Sequence, residues 1–171
     1  MPNASEARPD KGSVGPVEGH TPHFDVKVQS GARAVRDALA QVRKELQRFD
    51  LDHEEEGTVQ LVLAEVLNNI VEHAYPPTNP AGPISIKAQK KADGLYVKIR
   101  DQGHAMPDGR LPIGAAQTID VDVPDLPEGG FGWFLIRDLA RDITYCRIAH
   151  ENLLSLRIAV GIETFKEGSP A

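Results

Sequence analysis

Apolar residues recur along this chain at two periods, and the switches between them mark out its elements. Phe24, Val26 and Val28 alternate with polar residues, which predicts a first strand closed by Ser30-Gly31. Val35, Leu39, Val42, Leu46 and Phe49 follow at steps of four and three, one face of an amphipathic helix. After a polar break over 50–56, Val59, Leu63, Val66, Leu67, Ile70 and Ala74 predict a longer helix from about Glu55 to His73. Tyr75-Pro76-Pro77 ends it, because proline cannot continue a helix and restricts the residue before it. Ile84/Ile86/Ala88 and Leu95/Val97/Ile99 then alternate on either side of an Ala92-Asp93-Gly94 turn. A long stretch from Gln102 to Gly130 is rich in proline and glycine and carries no periodic signal; a loop of that length in a compact domain is functional or disordered. A short helix from about Trp133 to Ala140 follows. Two more strands, Ile143/Tyr145 and Leu154/Leu156/Ile158/Val160, are joined by a turn at His150-Glu151-Asn152.

Hairpins dominate the strand connections and the helices cluster. This predicts an α+β domain, a two-layer α/β sandwich whose mixed, mostly antiparallel sheet carries its helices on one face. Residues 1–21 are rich in Pro, Gly, Ser and charge and read as a disordered tail, 22–162 as the folded domain and 163–171 as a C-terminal tail. A chain of 171 residues suits one such domain.

Charge narrows the partners. The net charge of −6 argues against a nucleic-acid or anionic-membrane surface, both of which need a basic patch. No apolar run is long enough to span a bilayer, and the N-terminus lacks the apolar core of a signal peptide. The one cysteine, Cys146, excludes an internal disulfide and reads as a buried, inert thiol; a reducing cytoplasm fits all of this.

Three segments carry candidate chemistry. Glu65, Asn69 and His73 are spaced four apart on the long helix and form one stripe, flanked by Asn68 and Glu72. On its own the stripe reads equally as a solvated face, but two asparagines in mid-helix are unusual, since Asn favours caps and turns. An amide oxygen there could join phosphates in holding Mg²⁺, and a carboxylate one turn away could orient a hydroxyl for attack. Asp101, at a strand end before Gln102-Gly103, is either a turn cap or a reader of purines. As a reader it accepts a hydrogen bond from an exocyclic amine, a charge-assisted contact of about 1.5–3 kcal/mol, with Gly103 giving room for the ring. Gly129-Gly130-Phe131-Gly132 opens the short helix and is either a hinge or an anion cradle built on the helix N-terminus.

In this fixed order the segments resemble the nucleotide-binding signature of the GHKL superfamily. Glu65-Val66-Leu67-Asn68-Asn69 resembles its N box, Asp101-Gln102-Gly103 its first Gly box, and Gly130-Phe131-Gly132 its second. Within the superfamily the chain is most similar to the anti-sigma factor serine/threonine kinases: AEVLNNIVEHAY resembles their E-x-x-x-N-x-x-x-H-x-Y pattern, and GGFGWFLIRDLARDITY their G-x-G helix and the strand after it. The resemblance implies a Bergerat fold, ATP and Mg²⁺ as cofactors, and transfer of phosphate to a serine or threonine of a STAS-domain anti-anti-sigma protein. The other partner would be a sigma factor or an equivalent output protein, and a homodimer is implied as a possibility. Asn69 would bind Mg²⁺, Glu65 would act as base, and Asp101 with Gly103 would read adenine. Gly130, Phe131 and Gly132 would cradle the phosphates under a lid running from His104 to Gly130, with His73 near the phosphate end.

Two positions depart from that pattern. Ala105 stands where the first Gly box often has its second glycine, and Glu128 where some of these kinases carry a phosphate-binding arginine. They motivate an alternative, an ATP-binding anti-sigma module with little or no kinase activity. A sensor histidine kinase is disfavoured, because the segment before the first strand is short and polar for a dimerising helix pair bearing a phospho-accepting histidine.

Overall fold

The computed structural model describes residues 21–112 and 131–162. Residues 1–20 of the expected N-terminal tail, the whole expected C-terminal tail and residues 113–130 of the expected lid, Glu128, Gly129 and Gly130 among them, lie outside the described residues. The chain runs β1 (His23–Gln29), α1 (Ala34–Leu46), α2 (His53–Asn69), β2 (Pro83–Lys91) and β3 (Gly94–Asp101), then α3 (Phe131–Leu139), β4 (Ala140–Ile148) and β5 (Glu151–Ile158).

Helix α2 begins two residues earlier than its apolar pattern, because Asp52 and Glu55 form a reciprocal capping box. The Asp52 carboxylate accepts from Glu55 N at 2.9 Å, and Glu55 Oε2 accepts from Asp52 N at 3.0 Å. Phe49, expected on α1, lies beyond its end and packs edge-on against Phe24, with centroids 5.6 Å apart. After Asn69 the helix widens into one π-helical turn, Ile70–Ala74, in which Tyr75 N donates to Ile70 O. Such turns leave one extra residue in the spiral and occur often at functional sites.

The sheet has the order β1-β2-β3-β5-β4. Every neighbouring pair is antiparallel, so the sheet is not mixed. The helices cover one face, against which Ile84, Ile86, Val97, Ile99, Leu154 and Leu156 are buried. Val59, Leu63 and Leu67 of α2 are fully buried in the same core. Burial of each such aliphatic side chain contributes about 1.5–3 kcal/mol, and this fixes α2 across the sheet.

The last hairpin corrects two expectations. Its turn is Ala149-His150, with Ala149 at φ 52°, so Glu151 and Asn152 belong to β5. Val160 lies beyond the strand, although it is buried. Cys146 is exposed rather than buried. It pairs with Leu153, one residue out of phase with the inward Leu154, and so faces away from the helices on an edge strand.

Candidate functional site

A cavity of about 550 Å³ opens where the C-terminal end of α2 meets the ends of β3, β4 and β5. Asn69, His73, Asp101, Trp133, Tyr145 and Asn152 are among its lining residues. Its volume is in the range of small-molecule sites.

Asn69 is half-buried, and its Nδ2 donates to Glu65 O at 2.7 Å. This tether commits the amine side of the amide and turns the carbonyl oxygen, a hard ligand, away from that bond. The π-turn carries His73 out of strict alignment with Glu65 and Asn69, yet His73 remains on the cavity wall. Glu65 lies one helical turn before Asn69, against the start of α3. A methyl group added to Gly132 would stand 2.6 Å from Glu65 Oε2 and 3.4 Å from Asn69 Nδ2. Gly132 thus seats the α3 N-terminus directly on the Glu65/Asn69 stripe. The Phe131 ring points elsewhere: it is 68% exposed, rests on Phe134 and does not line the cavity.

Asp101 is only 6% exposed, and its Oδ1 accepts from Gly103 N at 2.9 Å and from Asn152 Nδ2 at 2.7 Å. Burial raises its pKa above the ordinary aspartate value; the two hydrogen bonds and the Arg147 charge offset part of that effect. Gly103 packs against the protein itself. An added Cβ would lie 2.4 Å from Ala74 O, whose carbonyl also accepts from His104 N at 2.8 Å. The π-turn and the D-x-G segment are therefore in direct contact. Tyr75 closes the same junction, accepting from Gln102 N at 2.7 Å and donating to Pro83 O at 3.0 Å.

Sequence reasoning missed Asn152, Tyr145 and Arg147. Register places Arg147, Asn152 and Asp101 in one row across β4, β5 and β3. The signal was present, because Asn152 is in phase with the inward Leu154, Leu156 and Ile158. Arg137, which could have stood in for a phosphate-binding arginine, donates instead from Nε and Nη2 to Pro112 O at 3.1 and 2.8 Å. Ala105 lines the cavity. Among the described residues no group of three or more His, Cys, Asp or Glu is arranged to hold a metal, and no helix is long and apolar enough to cross a membrane.

Comparison with known proteins decides the family. Residues 28–158 match the family model for the histidine kinase-like ATPase domain. The chain belongs to this family. Among curated relatives, 87 residues are 31% identical to the serine-protein kinase RsbW of Staphylococcus aureus, covering 50% of this chain and 54% of that protein. A stretch of 59 residues is 32% identical to the sensor histidine kinase PdtaS of Mycobacterium tuberculosis, covering 34% of this chain and 12% of that one. The chain thus spans about half or less of the curated relatives it matches. A solved structure of the RsbU and RsbW domains of Rv1364c from Mycobacterium tuberculosis superposes with a TM-score of 0.56 over 82% of this chain and 33% of that one, at 19% identity. This likeness shows the fold alone, an α+β domain with an antiparallel sheet under its helices; the family match makes it a histidine kinase-like, GHKL-type ATPase domain.

Proposed function

We propose that this ATPase-family domain is an ATP-dependent serine/threonine protein kinase of the anti-sigma type. It phosphorylates a STAS-domain anti-anti-sigma protein and exchanges that partner for a sigma factor or an equivalent output protein. One observation carries the reading: Asn69 and the buried Asp101 line one cavity, and Gly132 sits against Asn69 and against Glu65, which itself lies just outside the lining. The helix stripe, the D-x-G segment and the start of α3 are far apart in sequence, and their grouping near one cavity suits phosphoryl transfer, which asks mostly for positioning and charge neutralisation.

The residues fit the nucleotide and its metal. Asp101 Oδ2 makes no hydrogen bond with a described neighbour and can accept from the adenine amine. The Asn69 carbonyl oxygen suits Mg²⁺, which takes hard oxygen ligands alongside phosphates. Held by Asn69, the metal would supply neutralisation of phosphate charge. Glu65 orients the serine hydroxyl and accepts its proton as the oxygen bonds to the γ-phosphorus and the bond to the ADP oxygen breaks. The positive end of α3 lies beside Glu65, where phosphate would be held by backbone N–H groups. Partner exchange, a homodimer and a cytoplasmic setting belong to this reading through the family resemblance.

A second reading, a nucleotide-gated binding module with slow or no transfer, is favoured by Glu128 at the arginine position and by the engagement of Arg137 with Pro112. Intact mass spectrometry of a STAS-type partner incubated with the protein and ATP-Mg²⁺ separates the two. The kinase reading expects an added phosphate that disappears with Glu65→Ala. ATP binding with an unmodified partner supports the binding module instead.

A further inference from the structure

Asn152 is 4% exposed and faces the equally enclosed Asp101 across the β3–β5 ladder. All of its polar capacity is used. Nδ2 donates to Asp101 Oδ1 at 2.7 Å and to His104 O at 2.9 Å, while Oδ1 accepts from Tyr145 OH at 2.7 Å and Arg147 Nη1 at 2.6 Å. The partners leave no choice of orientation. A guanidinium only donates, so Asn152 must turn its oxygen toward Arg147. Tyr145 OH accepts from Met106 N at 3.0 Å, which directs its own proton to the same oxygen. The amide N–H groups are thereby aimed at Asp101 and at the His104 carbonyl. Arg147 also donates to Gly103 O at 2.9 Å, so the strand that locks Asn152 also holds the D-x-G backbone.

The consequence falls on Asp101. A carboxylate rotates in a broad, twofold torsional well unless something pins it. Here Gly103 N and Asn152 Nδ2 both take Oδ1, which leaves Oδ2 for a ligand in the cavity. An acceptor-only group at that point favours a purine with an amine at position 6 and repels one with a carbonyl there. We propose that Asn152 is the positioning residue of the base pocket. By holding Asp101 in one rotation it sets the preference for 6-aminopurine nucleotides, without touching the base itself. This rests on the reading of the cavity as an ATP site.

The test is calorimetric binding of ATP and of purine riboside triphosphate, which lacks the 6-amino group, to the full chain in Mg²⁺. Wild type is expected to prefer ATP by about tenfold or more. Asn152→Ala should cut that preference to about threefold or less by weakening ATP alone, leaving the 6-unsubstituted nucleotide within about threefold of wild type. A merely structural role would weaken both nucleotides alike, and that result, or an undiminished preference in the folded variant, overturns the proposal. If Asn152→Ala does not fold, Asn152→Leu decides. It keeps the side-chain volume but cannot donate to Asp101, and should cut the preference to about threefold or less; an unchanged preference overturns the role of Asn152. Equal affinity of wild type for the two nucleotides would instead overturn the adenine reading of Asp101, and Asn152's role with it.

Discussion

Gly103 lies against Ala74 so closely that an added Cβ would stand 2.4 Å from the Ala74 carbonyl oxygen and 2.6 Å from its Cβ. The glycine is required by the protein's own packing at the end of the π-turn. Its φ is not in the left-handed region, so space rather than backbone conformation is the constraint. Gly103→Ala is expected to destabilise the fold by about 1–3 kcal/mol, because backbone has to move to admit the methyl group. Urea denaturation checks this; an unchanged midpoint would mean that the π-turn yields freely.

Asp101 couples stability to pH against function. Its folded-state pKa is raised by burial, so the protonated form favours the fold. That stabilisation is complete below the unfolded pKa and lost as pH rises through the folded one. Nucleotide binding needs the opposite form, since only the carboxylate is a pure acceptor. ATP affinity should therefore fall on acidification at a pH above the ordinary aspartate range. Asp101→Asn should melt at or above the wild-type temperature at pH 7 while binding ATP about tenfold more weakly or worse. A lower melting temperature together with intact affinity would remove Asp101 from the adenine site.

Gly132→Ala separates fold from chemistry. The added methyl group would meet the far end of the flexible Glu65 side chain, which can swing aside. Alanine also suits a helix better than glycine, by up to about 1 kcal/mol. The variant is expected to be as stable as wild type or more so, but to transfer phosphate at least about tenfold more slowly, because misplacing a catalytic group by about 1 Å is costly. Thermal melts and single-turnover phosphotransfer measure the two effects. Undiminished transfer would show that Glu65 does not act from this position.

Much of the fold and part of the site were legible in the sequence, for identifiable reasons. The α2 stripe could be read because helical period and core burial agree from Val59 to Ile70. Its last turn could not, because local periodicity carries no signal for a π-turn whose end packs Ala74 against Gly103, a residue far away in sequence. The sheet's wholly antiparallel pairing also depends on non-local strand order, to which local alternation is blind. Asn152 was assigned to a turn on residue type alone. Ala149 takes the positive-φ position instead, against its own preference, and Asn152 turns inward as a polar residue in an apolar phase. Phe131 fell within a glycine motif, yet its side chain points to solvent, because a motif fixes backbone placement and leaves the direction of each side chain to the helix.

The most direct test of the central claim, that this cavity binds Mg²⁺-ATP through Asn69, is calorimetric titration with ATP in the presence and absence of Mg²⁺. Wild type should bind more tightly with the metal. Asn69→Ala should lose that enhancement while retaining its metal-free affinity, since Asp101 and the α3 N-terminus are untouched. No ATP binding by wild type, or an undiminished Mg²⁺ enhancement in Asn69→Ala, would contradict the account.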